Sequence, residues 1–187
     1  VKNGVERATA ETIWRQIEEF AAYSFNRAHA ACYGFIAYQT AYLKAHFPTE
    51  FMTALLRADA GNTDRVVLEI SECSEMRMDV LPPWINQSDA NFTVVDEDKI
   101  RFGLLAIKGV GEGPIAQIIQ MREAGGPFKS LADFARRVPA HILNKKMIQA
   151  LAYSGALDEF GDRNQIAQNY DEISKYAKNS EETAATF

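Results

Sequence analysis

The chain has 187 residues, 47% of them hydrophobic, and a formal net charge of −5, which allows one or two domains with a sizeable core. Its two cysteines, Cys32 and Cys73, lack CxxC spacing and argue against a disulfide framework or a zinc site, and no apolar run reaches the roughly 18 residues of a membrane span. We therefore expect a cytoplasmic protein without a membrane partner, and Val1 in place of Met suggests an excised fragment.

Helices are predicted throughout the first third of the chain. One begins near Thr9 and carries Trp14 and Phe20 at helical spacing, which we expect to be packing anchors. Residues 25–52 have the pattern of a long helix that Pro48 ends, and Thr49 is expected to cap a second helix over 50–58. The long helix leaves so little polar surface that we expect neighbours on more than one side.

The first turn of the long helix contains an unusual group of polar residues. Asn26 is the predicted N-cap, which places Arg27 and His29 in the first turn and Tyr33 one turn further on the same face. Unpaired N–H groups and the helix dipole favour an anion here, and the two cations strengthen the case for a phosphate. Most helices that begin with Asn and Arg bind nothing, so spacing alone leaves both interpretations open.

Residues 59–104 are predicted to combine one helix with a little β-structure. Thr63 is expected to cap a helix over 64–76 whose inward residues are Val66, Val67, Ile70 and Cys73. Its acidic face should be solvated, and because its carboxylates lack partner ligands no metal site is predicted at Glu69, Glu72 and Glu75. A strand at 79–81 and a hairpin over 92–104 should follow.

A glycine-rich hairpin is predicted at 107–114, directly before an apolar helix. Its residues Lys108, Gly109, Val110, Gly111 and Gly113 resemble the helix-hairpin-helix motif, in which an apolar residue and Gly-x-Gly precede such a helix. The turn would aim successive amides at a phosphate oxygen, and a Cβ at Gly109 or Gly111 would block that approach or a positive φ. Gly-x-Gly alone is weak evidence, because turns between core helices share it; no Walker or Rossmann pattern is present.

Two further features favour nucleic-acid binding in this region. The expected contacts beyond the first hairpin are a weaker partner hairpin and flanking cations: Ser154, Gly155, Ala156, Lys145, Lys146, Arg136 and Arg137. Residues 99–149 carry nine basic and three acidic side chains, whereas residues 59–98 carry two and ten, so the acidic total hides a strongly basic window. We predict sequence-independent, salt-dependent binding to the duplex backbone.

The predicted fold is mainly α with a small β element. We expect a helical segment over 1–58, a small α/β bridging unit over 59–104, a tandem helix-hairpin-helix region over 105–160, and a C-terminal helix within 161–187. A flexible tail is expected from residue 179, where apolar periodicity ends.

Several stretches support a more specific identification. The chain contains FNRAHAACY, AYQTAYLKAHFP, LPPWIN, FGLLAIKGVGEGP and LAYSGALDEFG. Through these stretches, residues 1–160 resemble bacterial DNA polymerase III alpha subunits, the C-family replicative polymerases. The stretches FNRAHAACY and AYQTAYLKAHFP resemble the fingers domain of that family. Mild departures from the family pattern occur at Arg27, Ala28, Cys32 and Phe47, and Trp84 stands where the family usually has Asp.

The resemblance implies a role in DNA replication as part of a DNA-directed DNA polymerase, a nucleotidyltransferase. It places the incoming dNTP at Asn26, Arg27, His29 and Tyr33 of the fingers, and duplex DNA at the hairpins. In this family the palm carboxylates hold two Mg²⁺ ions, and no matching motif occurs here. We therefore expect no catalytic residue, no bound cofactor and no polymerase activity from the fragment alone.

The implied partners are duplex DNA, dNTP and the palm and thumb domains. The sliding clamp and other replisome subunits are further candidates, although no clamp-binding peptide is evident. Two alternatives stay open: a stand-alone helix-hairpin-helix module like those of repair proteins, and a structural fragment that is inert without the palm and thumb. Duplex binding across a salt titration separates the inert fragment from the other two.

Overall fold

A computed structural model describes residues 3–23 and 27–185 of the chain. These residues form nine α-helices, two short 3₁₀ helices and one three-stranded sheet, which confirms the predicted mainly helical fold with a small β element. The chain divides into two compact units, Val1–His46 and Phe47–Phe187. Within the described ranges, no helix has the length and apolar character needed to cross a membrane. The finer division at residues 58, 104 and 160 stays a prediction.

The first unit contains α1 (Arg7–Tyr23) and α2 (Arg27–His46). Trp14 and Phe20 of α1 are exposed, and α2 has no buried residue. The predictions that these two aromatics are packing anchors and that α2 is covered on several sides are therefore wrong for this chain. An apolar helix face indicates that a partner surface is needed, but it does not specify whether that partner lies in the same chain.

The second unit begins with α3 (Pro48–Ala58), whose first turn differs from the prediction. Phe47 is the N-cap and Pro48 opens the helix, where its missing N–H costs no hydrogen bond. Thr49 is therefore a buried helical residue and not the cap. Its hydroxyl group donates to the Glu97 carbonyl, which ties α3 to the turn between the last two strands.

The next helix, α4 (Thr63–Glu75), is capped one residue earlier than predicted. The Asn62 side chain accepts the Arg65 N–H at 3.3 Å. Val66 and Cys73 face inward as expected, whereas Val67 is exposed and the prediction for it is wrong. The Asn62 cap fixes the start of the helix.

The sheet consists of β1 (Asp79–Leu81), β2 (Thr93–Asp96) and β3 (Lys99–Arg101), which confirms the predicted strand and hairpin. The strand order is β1-β3-β2, with β3 parallel to β1 and antiparallel to β2. Together with α3 and α4 the sheet encloses a small core formed by Met52, Leu56, Val66, Cys73, Met78, Phe92 and Ile100.

The remainder of the second unit is helical. Its elements in order are a 3₁₀ helix (Leu104–Ala106), α5 (Glu112–Gly125), α6 (Leu131–Arg137), α7 (Lys145–Tyr153), a 3₁₀ helix (Asp158–Phe160), α8 (Arg163–Gln168) and α9 (Tyr170–Ala185). They share a larger core that includes Ile115, Ile118, Phe128, Phe134, Ile142, Leu143, Ile148 and Leu151. The chain is helical up to Ala185, so the tail expected from residue 179 is not observed.

Trp84 connects the segment after β1 to the 3₁₀ helix Asp158–Phe160. Its indole N–H donates to Glu159 Oε2 at 2.8 Å, and Asn86 Nδ2 donates to the same oxygen at 3.0 Å. Asn86 also exchanges two hydrogen bonds with the backbone of Phe128. An aspartate at position 84 would lack the donor and would place a second carboxylate beside Glu159, so Trp84 stabilises this connection.

Glu69 is buried in α4, which contradicts the prediction of a fully solvated acidic face. Burial of the carboxyl group and its contact with Asp59 raise the pKa of Glu69 to about 7. The interaction with the Glu69 carboxyl group and the hydrogen bond that Arg65 Nε donates at 3.2 Å both hold the pKa of Asp59 below its usual range. Glu69 is thus mostly protonated at pH values below about 7.

We predict that the free energy of unfolding falls as the pH rises from about 5 to about 8. The folded-state pKa of Glu69 lies above its unfolded value, so the stabilisation is complete at low pH and is lost as the pH passes about 7. In Glu69→Gln this decline should shrink by on the order of 1–3 kcal/mol. Urea denaturation at several pH values measures it, with the exposed Glu75→Gln on the same helix as control. An unchanged decline in Glu69→Gln would show that another group titrates.

Candidate nucleic-acid interface

The predicted glycine-rich hairpin is present immediately before α5. The buried Ile107 accepts the Val110 N–H through its carbonyl at 3.3 Å, which closes the turn, and Lys108 is exposed. Gly109 has a φ of +97°, a conformation that L side chains rarely adopt, so this turn requires glycine. Val110 packs partly against the core and anchors the turn.

The other two glycines of the hairpin have ordinary backbone conformations. Gly111 caps α5 with a φ of −111°, and a Cβ there would only touch Pro114 at 3.6 Å. A Cβ on Gly113 would meet nothing within 4 Å. The expected need for a positive φ therefore applies to Gly109 and not to Gly111, where only the approach of a ligand to the amide would favour glycine.

The backbone amides of this turn are open to a ligand. Within the residues that the structure describes, no hydrogen bond has the N–H of Gly109 or Gly111 as its donor. Gly111 is exposed and Gly109 is half-buried. Because Gly111 also begins α5, the helix dipole adds partial positive charge at the same place. Such a group of free amides suits a phosphate oxygen.

The hairpin forms one wall of an open groove, and α7 forms the other. The lining residues are Lys108, Gly109, Lys145, Lys146, Gln149, Ala150 and Tyr153. The two walls meet closely, because a Cβ on Gly109 would lie 3.2 Å from Lys146 Cε. The structure therefore brings together four residues that the sequence singled out from separate segments.

Sequence reasoning missed three lining residues of the groove, Gln149, Ala150 and Tyr153. Gln149 and Tyr153 follow Lys146 by three and seven residues on α7, which places all three on one helix face. Tyr153 is exposed, and Gln149 Nε2 donates to the Ala167 carbonyl at 3.4 Å. Their helical spacing from the predicted Lys146 was the signal in the sequence that could have identified them.

The groove is positively charged on both sides. Lys108, Lys145 and Lys146 are all exposed, and none of the described residues that line the groove is acidic. Lys145 Nζ lies 4.9 Å from the centroid of the Tyr170 ring, a cation–π contact that orients this side chain. Lys145 and Lys146 lie at the N-terminus of α7, whose dipole adds partial positive charge, so the groove favours an anion.

The turn before α7 repeats the closing hydrogen bond and the burial pattern of the hairpin at a constant offset of 33 residues. The Leu143 N–H donates to the Ala140 carbonyl at 3.2 Å, as the Val110 N–H does to Ile107. Equivalent positions are Ile107 and Ala140, Val110 and Leu143, Gly111 and Asn144, Ile115 and Ile148, and Ile118 and Leu151. The two related turns of the tandem are therefore 107–111 and 140–144.

The second turn uses the amides that the first leaves free. The Ile142 N–H donates to the Pro139 carbonyl at 2.9 Å, and the Asn144 N–H donates to the Ile142 carbonyl at 2.8 Å. These residues stand at the positions of Gly109 and Gly111. The first turn thus offers backbone amides, and the second contributes the lysine side chains that follow it.

The segment expected to be the second hairpin, 154–156, instead closes the end of α7. The Gly155 N–H donates to the Ala152 carbonyl and the Ala156 N–H to the Leu151 carbonyl, both at 3.0 Å, as in a Schellman helix end. Ala156 is fully buried and Ser154 is the C-cap. The prediction of a second hairpin at 154–156 is therefore wrong. A helix end and a hairpin both favour a glycine with positive φ, here Gly155, so the sequence pattern alone does not distinguish them.

The arginines expected beside the groove are engaged elsewhere in the fold. Arg137 donates to the carbonyls of Gly126 and Met121, and its guanidinium lies 4.5 Å from the centroid of the Phe128 ring. Arg136 pairs with Asp133 at 2.8 Å, which together with a backbone N–H lowers the pKa of Asp133 to about 2. Arg137 thus holds the connection between α5 and α6.

The predicted nucleotide site lies at the start of α2 in the first unit. Arg27, His29 and Tyr33 are exposed, and the His29 and Tyr33 rings are 4.4 Å apart with an interplanar angle of 56°. The fourth predicted residue, Asn26, lies outside the described residues. His29 and Tyr33 share one helical face, as their spacing of four residues predicts, whereas Arg27 precedes His29 by two residues and projects from a different side of the first turn.

The described residues do not fit a metal ion. In the ranges 3–23 and 27–185, no three His, Cys, Asp or Glu side chains come together in a group that could hold one.

Comparison with known proteins adds two findings. The family model described as "Helix-hairpin-helix motif" matches residues 77–166. The chain is 48% identical over 159 residues to the DNA polymerase III subunit alpha of Pseudomonas aeruginosa, 42% over 181 residues to that of Thermus aquaticus, and 44% over 168 residues to that of Escherichia coli. These alignments cover 85%, 97% and 90% of this chain and only 14–15% of each relative's length.

We predict that Gly109→Ala destabilises the fold by about 1–2 kcal/mol, because alanine is strained at this positive φ. Gly113→Ala is the matched control: its Cβ meets nothing and it lies in the first turn of α5, so stability should stay equal or rise by up to about 1 kcal/mol. Urea denaturation of both variants measures the difference. Equal stability of the two would contradict the left-handed conformation at Gly109.

Proposed function

Because most of this chain is homologous to one segment of bacterial DNA polymerase III alpha subunits and carries a helix-hairpin-helix motif at residues 77–166, we propose that it binds duplex DNA through the phosphate backbone. The observation that carries this proposal is the groove between the hairpin and α7. It combines the free amide of Gly109, with that of Gly111 in the same turn, with three exposed lysines and no acidic lining residue among those described.

The chemistry of the groove favours binding without base specificity. Backbone amides and lysine ammonium groups contact phosphate oxygens, which are the same at every base pair. Among the described residues, neither Arg nor Asn lines the groove, and the lining Gln149 donates its side-chain amide to the Ala167 carbonyl instead of presenting it to a base edge. Each neutralised phosphate releases counterions, so affinity should fall steeply as salt rises.

We further propose that the first unit contributes to nucleotide positioning within a larger polymerase. The exposed Arg27 and His29 at the start of α2 would bind the triphosphate of an incoming dNTP, and Tyr33 would contact its sugar or base. Support comes from the homology and from the helix geometry. Asn26 is the proposed fourth residue of this site.

In the same proposal, the exposed apolar faces of α1 and α2 are covered by other parts of the polymerase, such as the palm and thumb. The chain spans about one seventh of the length of the relatives it matches. The Mg²⁺ ions required for phosphoryl transfer would be held by carboxylates outside this segment, and the segment alone would not polymerise.

We predict that Lys108→Gln and Lys146→Gln each weaken the binding of the 187-residue chain to duplexes of any sequence. Each loss of a phosphate contact should reduce the slope of log Kobs against log salt by about one. Fluorescence anisotropy at several salt concentrations measures both quantities. The control is Lys178→Gln, an exposed lysine of α9 outside the groove, which should leave the slope unchanged. If the unmodified chain fails to bind duplex even at low salt, the alternative of an inert fragment replaces the proposal.

We also predict that Arg27→Ala in the intact polymerase raises the KM for dNTP or lowers kcat, with a loss in kcat/KM on the order of tenfold to a hundredfold. A guanidinium that binds phosphate contributes a charge-assisted hydrogen bond that alanine cannot replace. Steady-state primer extension measures the change, with Arg15→Ala on α1 as control. Unchanged kinetics in Arg27→Ala would remove this residue from the nucleotide site.

A further inference from the structure

One face of α7 continues the groove beyond the lysines. Lys146, Gln149, Ala150 and Tyr153 follow one another along this face. Tyr153 follows Lys146 by seven positions, which span about 10 Å along the helix axis. A DNA strand rises about 3.4 Å per nucleotide, so a strand whose phosphate is held at Lys146 reaches Tyr153 within about three nucleotides.

Tyr153 is not accounted for by backbone binding. Tyr153 is 55% exposed, whereas the two residues before it in α7, Leu151 and Ala152, are buried. Ala150 before it is small and leaves room above the helix surface. An exposed aromatic ring at the end of a basic groove is the arrangement with which proteins stack the bases of single strands.

A stacked base on Tyr153 has to be unpaired. Inside a duplex both faces of every base are covered by neighbouring base pairs, so an aromatic side chain gains a stacking partner only at a strand end or on an extruded or single-stranded base. Lysine and amide contacts do not have this requirement, because phosphates are equally accessible in both forms of DNA. The lysines and the hairpin therefore accept duplex or single-stranded DNA, whereas Tyr153 requires an unpaired base.

We propose that the groove binds a junction between duplex and single-stranded DNA, with the duplex strand held at Gly109, Lys108 and Lys146 and an unpaired base of the adjoining single strand stacked on Tyr153. The inference rests on the proposed backbone binding and adds a preference for one form of DNA. Tyr153 serves as the specificity residue, and Lys146 sets the register between the last held phosphate and the stacked base.

The test compares a blunt duplex with the same duplex carrying a short 3′ or 5′ overhang, using the full chain and fluorescence anisotropy at one salt concentration. Tyr153→Leu should lose about fivefold to a hundredfold in affinity for the overhang duplex, the range expected for one stacked base, and little for the blunt duplex. Tyr153→Phe should retain the preference because it keeps the ring. Tyr176→Leu, an exposed tyrosine of α9, is the matched control.

A second readout reports on stacking directly. With 2-aminopurine at each of the first unpaired positions in turn, binding of the unmodified chain should quench its fluorescence at one position, and Tyr153→Leu should abolish the change. Thermal denaturation of each variant verifies folding.

The outcomes separate this inference from the proposed function. Equal affinity of the unmodified chain for blunt and overhang duplexes overturns the inference and leaves backbone binding intact, and the same holds if Tyr153→Leu weakens both equally. Loss of the preference in Tyr153→Phe would assign the effect to the phenolic hydroxyl and reject stacking. Absence of binding to either DNA overturns the proposed function and this inference with it.

Discussion

The close approach of Gly109 to the Lys146 side chain joins the two halves of the candidate site. Gly109 has a positive φ in the first turn. Because it has no side chain, the aliphatic part of Lys146 can approach its backbone closely: a Cβ at this position would lie 3.2 Å from Lys146 Cε. This contact places free amides of one helix–turn unit beside the ammonium groups of the other. Without it the amides and the lysines would belong to separate surfaces, and neither would hold a phosphate as well alone.

The larger core fixes this contact from below. Ile115 and Ile118 of α5, and Ile148 and Leu151 of α7, are buried at equivalent positions and set the orientation of both helix starts. The two turns share their closing hydrogen bond but differ in their remaining amides. A duplicated fold element has thus been divided between two tasks, with backbone donors on one side and cationic side chains on the other.

The sequence predicted the hairpin, the three strands and the main helices, because turn glycines and apolar periodicity are local signals. It placed the second turn at 154–156 because a glycine that ends a helix and a glycine that opens a hairpin look alike in sequence. The buried state of Glu69 and the exposure of Trp14 could not be predicted, since each depends on which surfaces meet after folding. Tyr153 was overlooked because helical spacing alone would equally suit a core residue.

The backbone amides of the first turn provide the most direct test of the account. In a ¹⁵N-labelled chain titrated with duplex DNA, the amide resonances of Gly109 and Gly111 should shift on binding and return to their free positions as salt is raised. The Gly155 amide, which is used within the chain, should stay nearly unchanged. If binding saturates while the resonances of Gly109 and Gly111 do not move, the phosphate does not bind at this turn and the account is contradicted.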